Sequence, residues 1–213
     1  MGQQRLALIG AGDLGRQIAH LVSEDKTYQM VGFFDDTMHG HKTVYSLPIL
    51  GTLDDIESQF KAGVFDVLLI AIGYKHLAFR ENIYRRFNPD IPFGTYIHSS
   101  CIIDSSATVE TGSILLSGCI LDMNAHVGQN VFSYSGLLLS HDSSIGDHSF
   151  IAPGVKIAGH STIGKANFIG IGSVFSDNVM TCNNCRTGAG TVVVESLNIP
   201  GNYVGVPSRI LKT

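Results

Sequence analysis

Tryptophan is absent from this 213-residue chain, charged residues make up only 15 % of it, and there are just six prolines and four cysteines. With a formal charge of -4 and no basic run of the kind that follows a phosphate backbone, nucleic acid is not expected as a partner. The longest apolar stretches, such as "VLLIAIG" at 67–73, fall far short of the ~20 residues of a membrane span. The amino terminus also lacks a signal-peptide profile, so a cytoplasmic protein with no membrane partner is expected. In that setting the cysteines predict free thiols and no disulfide. "CNNC" at 182–185 offers one pair of sulfurs, too few for structural zinc. What the chain does have is 44 % apolar residues and 24 glycines, more of them in the second half than in the first. That is enough to build one large core or two small ones.

From Ile103 onward the sequence repeats every six residues. Stepping by six from Ile103 to Val193 visits sixteen positions, of which thirteen are apolar and the others are Ser133, Thr181 and Thr187. Four residues after each of these the side chain is small or modest in size, as at Ala107, Ser113, Cys119, Ser143 and Ser161. Gly118, Gly136, Gly154, Gly172 and Gly190 add a longer period of eighteen. Three hexads per coil predict a parallel β-helix of triangular section, with about five coils between 103 and 193. The apolar residue points inward, the small one lies near a corner, and glycine serves turns that need positive φ. A β-sandwich would instead show alternating strands with turns every 8–12 residues. The flat faces of such a prism bury well only against another prism, which favours an oligomer. Cys101, Cys119 and Cys185 fall at the small place of a hexad and read as buried, inert thiols.

The first hundred residues have a different grammar. "RLALIGAGDLGRQIAHLV" reads as a buried strand, a glycine turn and an amphipathic helix, with Gly10, Gly12 and Gly15 in G-x-G-x-x-G spacing. "YQMVGFFDD" is a second strand ending in Asp35 and Asp36, about twenty residues beyond the last glycine, where nucleotide-binding domains place a ribose-holding acid. "DDIESQFKAG" and "HLAFRENIYRRF" read as helices and "FDVLLIAIG" as a third strand. Fewer than ~100 residues leave room for one mononucleotide half, so a single nucleotide fits better than NAD. The expectation is therefore an α/β Rossmann-like domain over 1–97 followed by an all-β domain over 98–213.

The combination resembles the hexapeptide-repeat acyltransferases that act on bacterial nucleotide-linked amino sugars, a family that includes sialic acid O-acetyltransferases. The likeness is carried by "LIGAGDLGRQIA", "FFDD", "LPILGTLDDI", "IAIGYKHLAFRENIY", "HSSCIIDSSATVETG", "SHDSSIGDHSFIAPG" and "YVGVPSRIL". It implies a left-handed β-helix that forms homotrimers, with acetyl-CoA lying between neighbouring prisms and no metal. The histidine of H-[DE]-x-x-I-G matches "HDSSIG", making His141 the catalytic base and Asp142 its acidic neighbour. The resemblance further implies cofactor contacts at Gly159, Ile171, Phe150 and Ala189. Substrate contacts are implied at Gly10, Gly12, Asp13, Leu14, Asp35, Asp36, Gly73, Tyr74, Lys75 and Tyr134. Three positions depart from the family pattern: Leu14 stands where many relatives carry histidine, Phe150 where a second histidine is common, and Tyr134-Ser135 where Asn-Thr precedes the base.

The chemistry fits the residue types. Amide formation from a thioester needs a neutral amine, so a base must take its proton, and imidazole titrates in the right range. A carboxylate on Nδ1 would fix the tautomer and leave Nε2 for the amine. Gly159, eighteen residues after His141, is the expected backbone donor to the oxyanion. His126, His148 and His160 are read as solvated corner residues, and His141 with His148 does not make a convincing metal site. The functional expectation is N-acetylation of a nucleotide-linked amino-deoxy sugar for surface glycans. O-acetylation of a sialic acid, a non-catalytic nucleotide-sugar scaffold and a dehydrogenase stand as alternatives.

Overall fold

The glycine-punctuated first segment and the six-residue repeat fold separately. The computed structural model describes residues 2–38 and 43–211. Its contacts divide the chain into two compact units, Met1–Tyr96 and Ile97–Thr213.

In the first unit β1 (Arg5–Ile9), α1 (Asp13–Asp25), β2 (Gln29–Phe34), β3 (Thr43–Val44), β4 (Leu47–Gly51), α2 (Ile56–Lys61), β5 (Val67–Ile70) and α3 (Leu77–Phe87) follow in order. The sheet runs β3-β4-β2-β1-β5, parallel throughout except for β3. Strands β1 and β5 are buried along nearly their whole length, which is why they read as unbroken apolar runs. Three strands and three helices match the sequence reading; the β3–β4 hairpin is additional. Its turn residues Tyr45 and Ser46 have φ of 51° and 65°, a conformation usually announced by Asn-Gly, so the sequence carries no hairpin signal there. Gly15 is required by close approach: a Cβ there would stand 2.2 Å from the Gly10 carbonyl oxygen, so α1 can start directly against the end of β1.

Two polar anchors hold this sheet. Arg80, fully buried on α3, donates to the carbonyls of Ile70 and Ile72 at 3.0 and 2.9 Å and so pins the carboxyl end of β5. At the other end Asp66 accepts from the Arg5 guanidinium at 2.6 Å and from the Arg5 backbone N–H at 2.7 Å. Those hydrogen bonds hold the Asp66 carboxyl at about 2.

The second unit is a prism with three faces of parallel two-residue strands. The first face stacks Ile102–Ile103, Ile120–Leu121, Leu138–Leu139, Lys156–Ile157, Val174–Phe175 and Val192–Val193. The second stacks Thr108–Val109, His126–Val127, Ser144–Ile145 and Thr162–Ile163. The third carries Ile114–Leu115, Phe132–Ser133, Phe150–Ile151 and Phe168–Ile169. Each residue pairs with the one eighteen positions on, and the second residue of each strand points into one continuous core. Small polar side chains near the corners seal the ladder: Ser143 Oγ donates to Ala158 O and accepts from Ser161 N–H. From Gly112 to Gly190 the second residue of each corner lies at positive φ, including Asn124, Asp142, His148, His160 and Asn178 as well as glycines.

The period fails near the carboxyl end. Met180 and Thr181 make only isolated bridges, and Cys185–Thr187 pairs with Gly201–Tyr203 sixteen residues on instead of eighteen. The free thiols of Cys182 and Cys185 lie 3.4 Å apart there.

Two measurements check these packings. Ile157→Ala, at a fully buried rung, should cost ~2–5 kcal/mol in denaturant unfolding. Asp66 has a folded-state pKa below its unfolded value, so its contribution is whole above that unfolded value and disappears as the pH falls through about 2. Asp66→Asn should therefore be less stable than the parent at pH 6, and urea titrations should show the difference vanishing between pH ~4 and pH ~2.

Candidate active site

His141 and Asp142 form the corner that follows the first-face strand Leu138–Leu139. On a flat strand their side chains would diverge. Here Asp142 takes φ of 54°, and its carboxylate turns back so that His141 Nδ1 lies 3.0 Å from an Asp142 oxygen. The corner is fixed by backbone bonds between coils: Asp142 N–H donates to Met123 O, His160 N–H to His141 O and Asn178 N–H to Gly159 O. Asn124 Nδ2 donates to the second Asp142 oxygen at 2.9 Å. The Asn124 amide, and then His141, hold the Asp142 carboxyl below the usual range.

Gly159 lies directly against the His141 ring, one coil on. A Cβ at that position would be 2.7 Å from both Cε1 and Nε2, so only glycine leaves the imidazole where it is. The Gly159 N–H donates to no carbonyl among the described residues. Beside it the His160 ring meets the His141 ring edge to face, with centroids 5.0 Å apart. His141, Asp142 and His160 each present a ligand atom, all within 4.8 Å of one another, and among the described residues they are the group that could hold a metal ion. His160 and Asn124 were not singled out as site residues by sequence; both follow from the eighteen-residue period, at 142 ± 18.

The other corner histidine, His148, is not solvated. It is buried, with Nδ1 3.0 Å from Asn130 Nδ2. Its neighbour Asp147 bonds Lys165 and the Gln129 backbone N–H. His126 lies on a strand instead of a corner, its Nδ1 2.8 Å from Thr108 Oγ1.

The expected cofactor residues fall on different edges of the prism. Gly159 belongs to the His141 corner, whereas Ile171 and Ala189 are exposed on the corner column at the other side of the first face. Phe150 is on the third face, buried and stacked on Phe132 with ring centroids 4.7 Å apart. Tyr134 packs edge-on to both rings. Phe150 is thus an aromatic packing residue that leaves no open surface for a cofactor, because its outward place on the strand is filled by stacking between coils.

In the first unit a cavity of about 310 Å³ opens at the carboxyl ends of the strands. Gly10, Asp35 and Asp36 line it together with Leu53, Ile72 and Phe79. Asp35 is engaged by its own surroundings: it accepts from Ala11 N–H at 2.8 Å and from the Thr37 N–H and hydroxyl at 2.8 and 2.6 Å. Partial burial pushes its carboxyl upward, but these bonds outweigh that and hold it below the usual range. Asp36 uses one oxygen for Leu53 N–H and is otherwise exposed. Asp13 lines a separate, more open hollow against α1 with Arg16, His20 and Tyr45. Gly12 caps α1 and Leu14 sits in its first turn; Gly73, Tyr74 and Lys75 form the turn leading to α3, from which His76 and Phe79 reach the smaller cavity. Leu53, His76 and Phe79 escaped the sequence reading because they sit outside any glycine motif, although each follows the end of a strand.

Residues 5–87 match the PglD N-terminal domain family. Over its whole length the chain is similar to the acetyltransferase domain of PglB from Neisseria gonorrhoeae, with 25 % identity and a TM-score of 0.90, covering 98 % of this chain and 100 % of that one. The same domain in complex with acetyl coenzyme A matches at 24 % identity, TM-score 0.90, over 99 % and 100 % of the two chains. PerB from Caulobacter crescentus, in complex with CoA and GDP-perosamine, matches at 21 % identity and TM-score 0.90, over 100 % and 98 %. Among curated proteins no sequence matches. Prism and preceding α/β unit define the fold class, an α/β domain followed by a left-handed parallel β-helix of hexapeptide repeats. Residues 5–87 are thus similar to the PglD N-terminal domain family, and the chain as a whole shares the fold of the PglB acetyltransferase domain.

The cradle can be tested without substrate. Gly159→Ala should push the His141 ring aside, breaking its contact with Asp142, while leaving the melting temperature within a few degrees. Imidazole nitrogen resonances that stay where they are would show that the glycine is not what seats the ring.

Proposed function

We propose that this protein transfers the acetyl group of acetyl-CoA to the amino group of a nucleotide-linked amino-deoxy sugar, with His141 as general base. The observation that carries this reading is the His141 Nδ1 to Asp142 contact of 3.0 Å. It orients the imidazole with Nε2 on the side of Gly159. The similarity to an acetyltransferase domain at 25 % identity supports acetyl-CoA as co-substrate, and the complexes of the more distant neighbours with CoA and an amino-sugar nucleotide point the same way.

In this mechanism the amine nitrogen attacks the thioester carbonyl as Nε2 of His141 accepts its proton. Asp142 stabilises the imidazolium, and Asn124 keeps the carboxylate in place. The tetrahedral oxyanion takes a hydrogen bond from the Gly159 N–H, a preorganised donor of the kind typically worth ~3 kcal/mol. Collapse expels the thiolate of CoA, to which the imidazolium returns the proton, leaving amide and free CoA. The 310 Å³ cavity of the first domain, at the low end of ligand-pocket volumes, suits the nucleoside portion, with the free oxygen of Asp36 as its polar contact.

Homotrimer formation belongs to the same reading. The outward column of the first face is Ile102, Ile120, Leu138, Lys156, Val174 and Val192, with Ile102 66 % exposed, whereas that of the second face is Thr108, His126, Ser144 and Thr162. An apolar face with corners at Ile171 and His141 on its two edges would, on meeting copies of itself, bring one chain's base to another's Ile171 and Ala189.

Release of free CoA should depend on an amino-sugar nucleotide, and His141→Ala should lower kcat by at least ~100-fold with binding of both substrates retained. Undiminished turnover would eliminate His141 as base. A hydroxyl acceptor preferred over the amine would assign O-acetylation instead. Light scattering should give three times the chain mass for the parent protein and a monomer for Leu138→Asp.

A further inference from the structure

We infer that the His141 corner is also a binding site for a divalent transition metal, and that zinc there silences the base. The juxtaposition is specific. His141 Nδ1 and an Asp142 oxygen are 3.0 Å apart, already close to the separation of two donors sharing one ion with bonds of ~2.0–2.1 Å. His160 supplies a third ligand atom within 4.8 Å of these, so a modest rotation of an exposed side chain closes the set. The backbone beneath cannot drift: Asp142 and His160 occupy equivalent left-handed places in adjacent coils, and the His160 N–H is bonded to the His141 carbonyl.

The surroundings favour a cation. Asn124 orients the Asp142 carboxylate from the coil before, as outer partners of metal ligands do. Asp177 brings a further carboxylate oxygen to within 3.4 Å of the point that a Gly159 Cβ would fill. Two imidazoles and a carboxylate with an open position suit zinc or cobalt better than magnesium or calcium, which prefer oxygen donors throughout.

Metal at this corner is incompatible with proton abstraction. A neutral imidazole has one in-plane lone pair; zinc on Nδ1 leaves the proton on Nε2, and zinc on Nε2 occupies the atom that would accept from the amine. Either way His141 stops being a base. The inhibition rests on the function proposed above, but the binding does not.

The test uses tag-free, chelator-treated full-length protein titrated with zinc chloride in a calorimeter, and with cobalt(II) followed by its visible absorption. One ion per chain in the micromolar range is expected, weakened at least about tenfold in His160→Ala. His160→Ala should melt like the parent in the presence of chelator, zinc should raise the melting temperature of the parent alone, and turnover of the parent should fall as zinc fills the site. Binding only at millimolar zinc, or equal affinity in parent and His160→Ala, would overturn the site. Catalytic inactivity of the metal-free parent would count against the proposed function alone, since calorimetry needs no substrate.

Discussion

Everything on the prism depends on the backbone bonds between successive coils. Because each strand pairs with the one eighteen residues on, every side chain has a neighbour above and below it of the same type of place, inward, outward or corner. Inward places form an uninterrupted core, and from Gly112 to Gly190 every corner is closed with its second residue in the left-handed region. Non-glycine residues accept that conformation at a cost of roughly 1 kcal/mol each. Asn and Asp at 124, 142 and 178 bear it best, since short polar side chains tolerate that region. His148 and His160 occupy it as well.

The site follows from this constraint. A left-handed Asp142 brings a carboxylate onto the imbedded nitrogen of its own neighbour, something two adjacent residues do not achieve on a strand. The same corner one coil earlier supplies Asn124 to the carboxylate, and one coil later supplies Gly159 beneath the ring and His160 at its edge. Three coils thus build a cluster of two imidazoles, a carboxylate and an amide from one repeated turn, with no loop insertion. The first domain works on the other principle, gathering Gly10, Asp36, Leu53 and Phe79 from the ends of strands and the segments that follow them.

Some of this was legible in the residues alone. The period of six and its grouping into coils of eighteen gave the rungs, the small corner places and the position of Gly159 one coil from His141, because that arithmetic needs no knowledge of side-chain direction. The strand and helix segments of the first domain were equally plain. The β3–β4 hairpin was not, since Tyr45-Ser46 adopts a turn that its residues do not advertise. Nor was the fate of Asp35: its place after the strand marked it as a ligand residue, but only the fold shows its oxygens bonded to Ala11 and Thr37. Phe150 shared a sequence neighbourhood with His141 yet lies on another face, where outward aromatics stack.

The sequence by itself determined the architecture, because a hexad with an apolar residue, a small residue and a turn can satisfy its core and its backbone in few other ways. It also placed two histidines, His141 and His148, in corners next to an acid. The tertiary structure decided what the His141 corner can do. The sign of φ at Asp142 turned sequence neighbours into a bonded pair, and the coil stacking chose Asn124, Gly159 and His160 as their companions. These are contacts between residues eighteen or nineteen apart, set by the pitch of the prism and invisible to any local property of the chain.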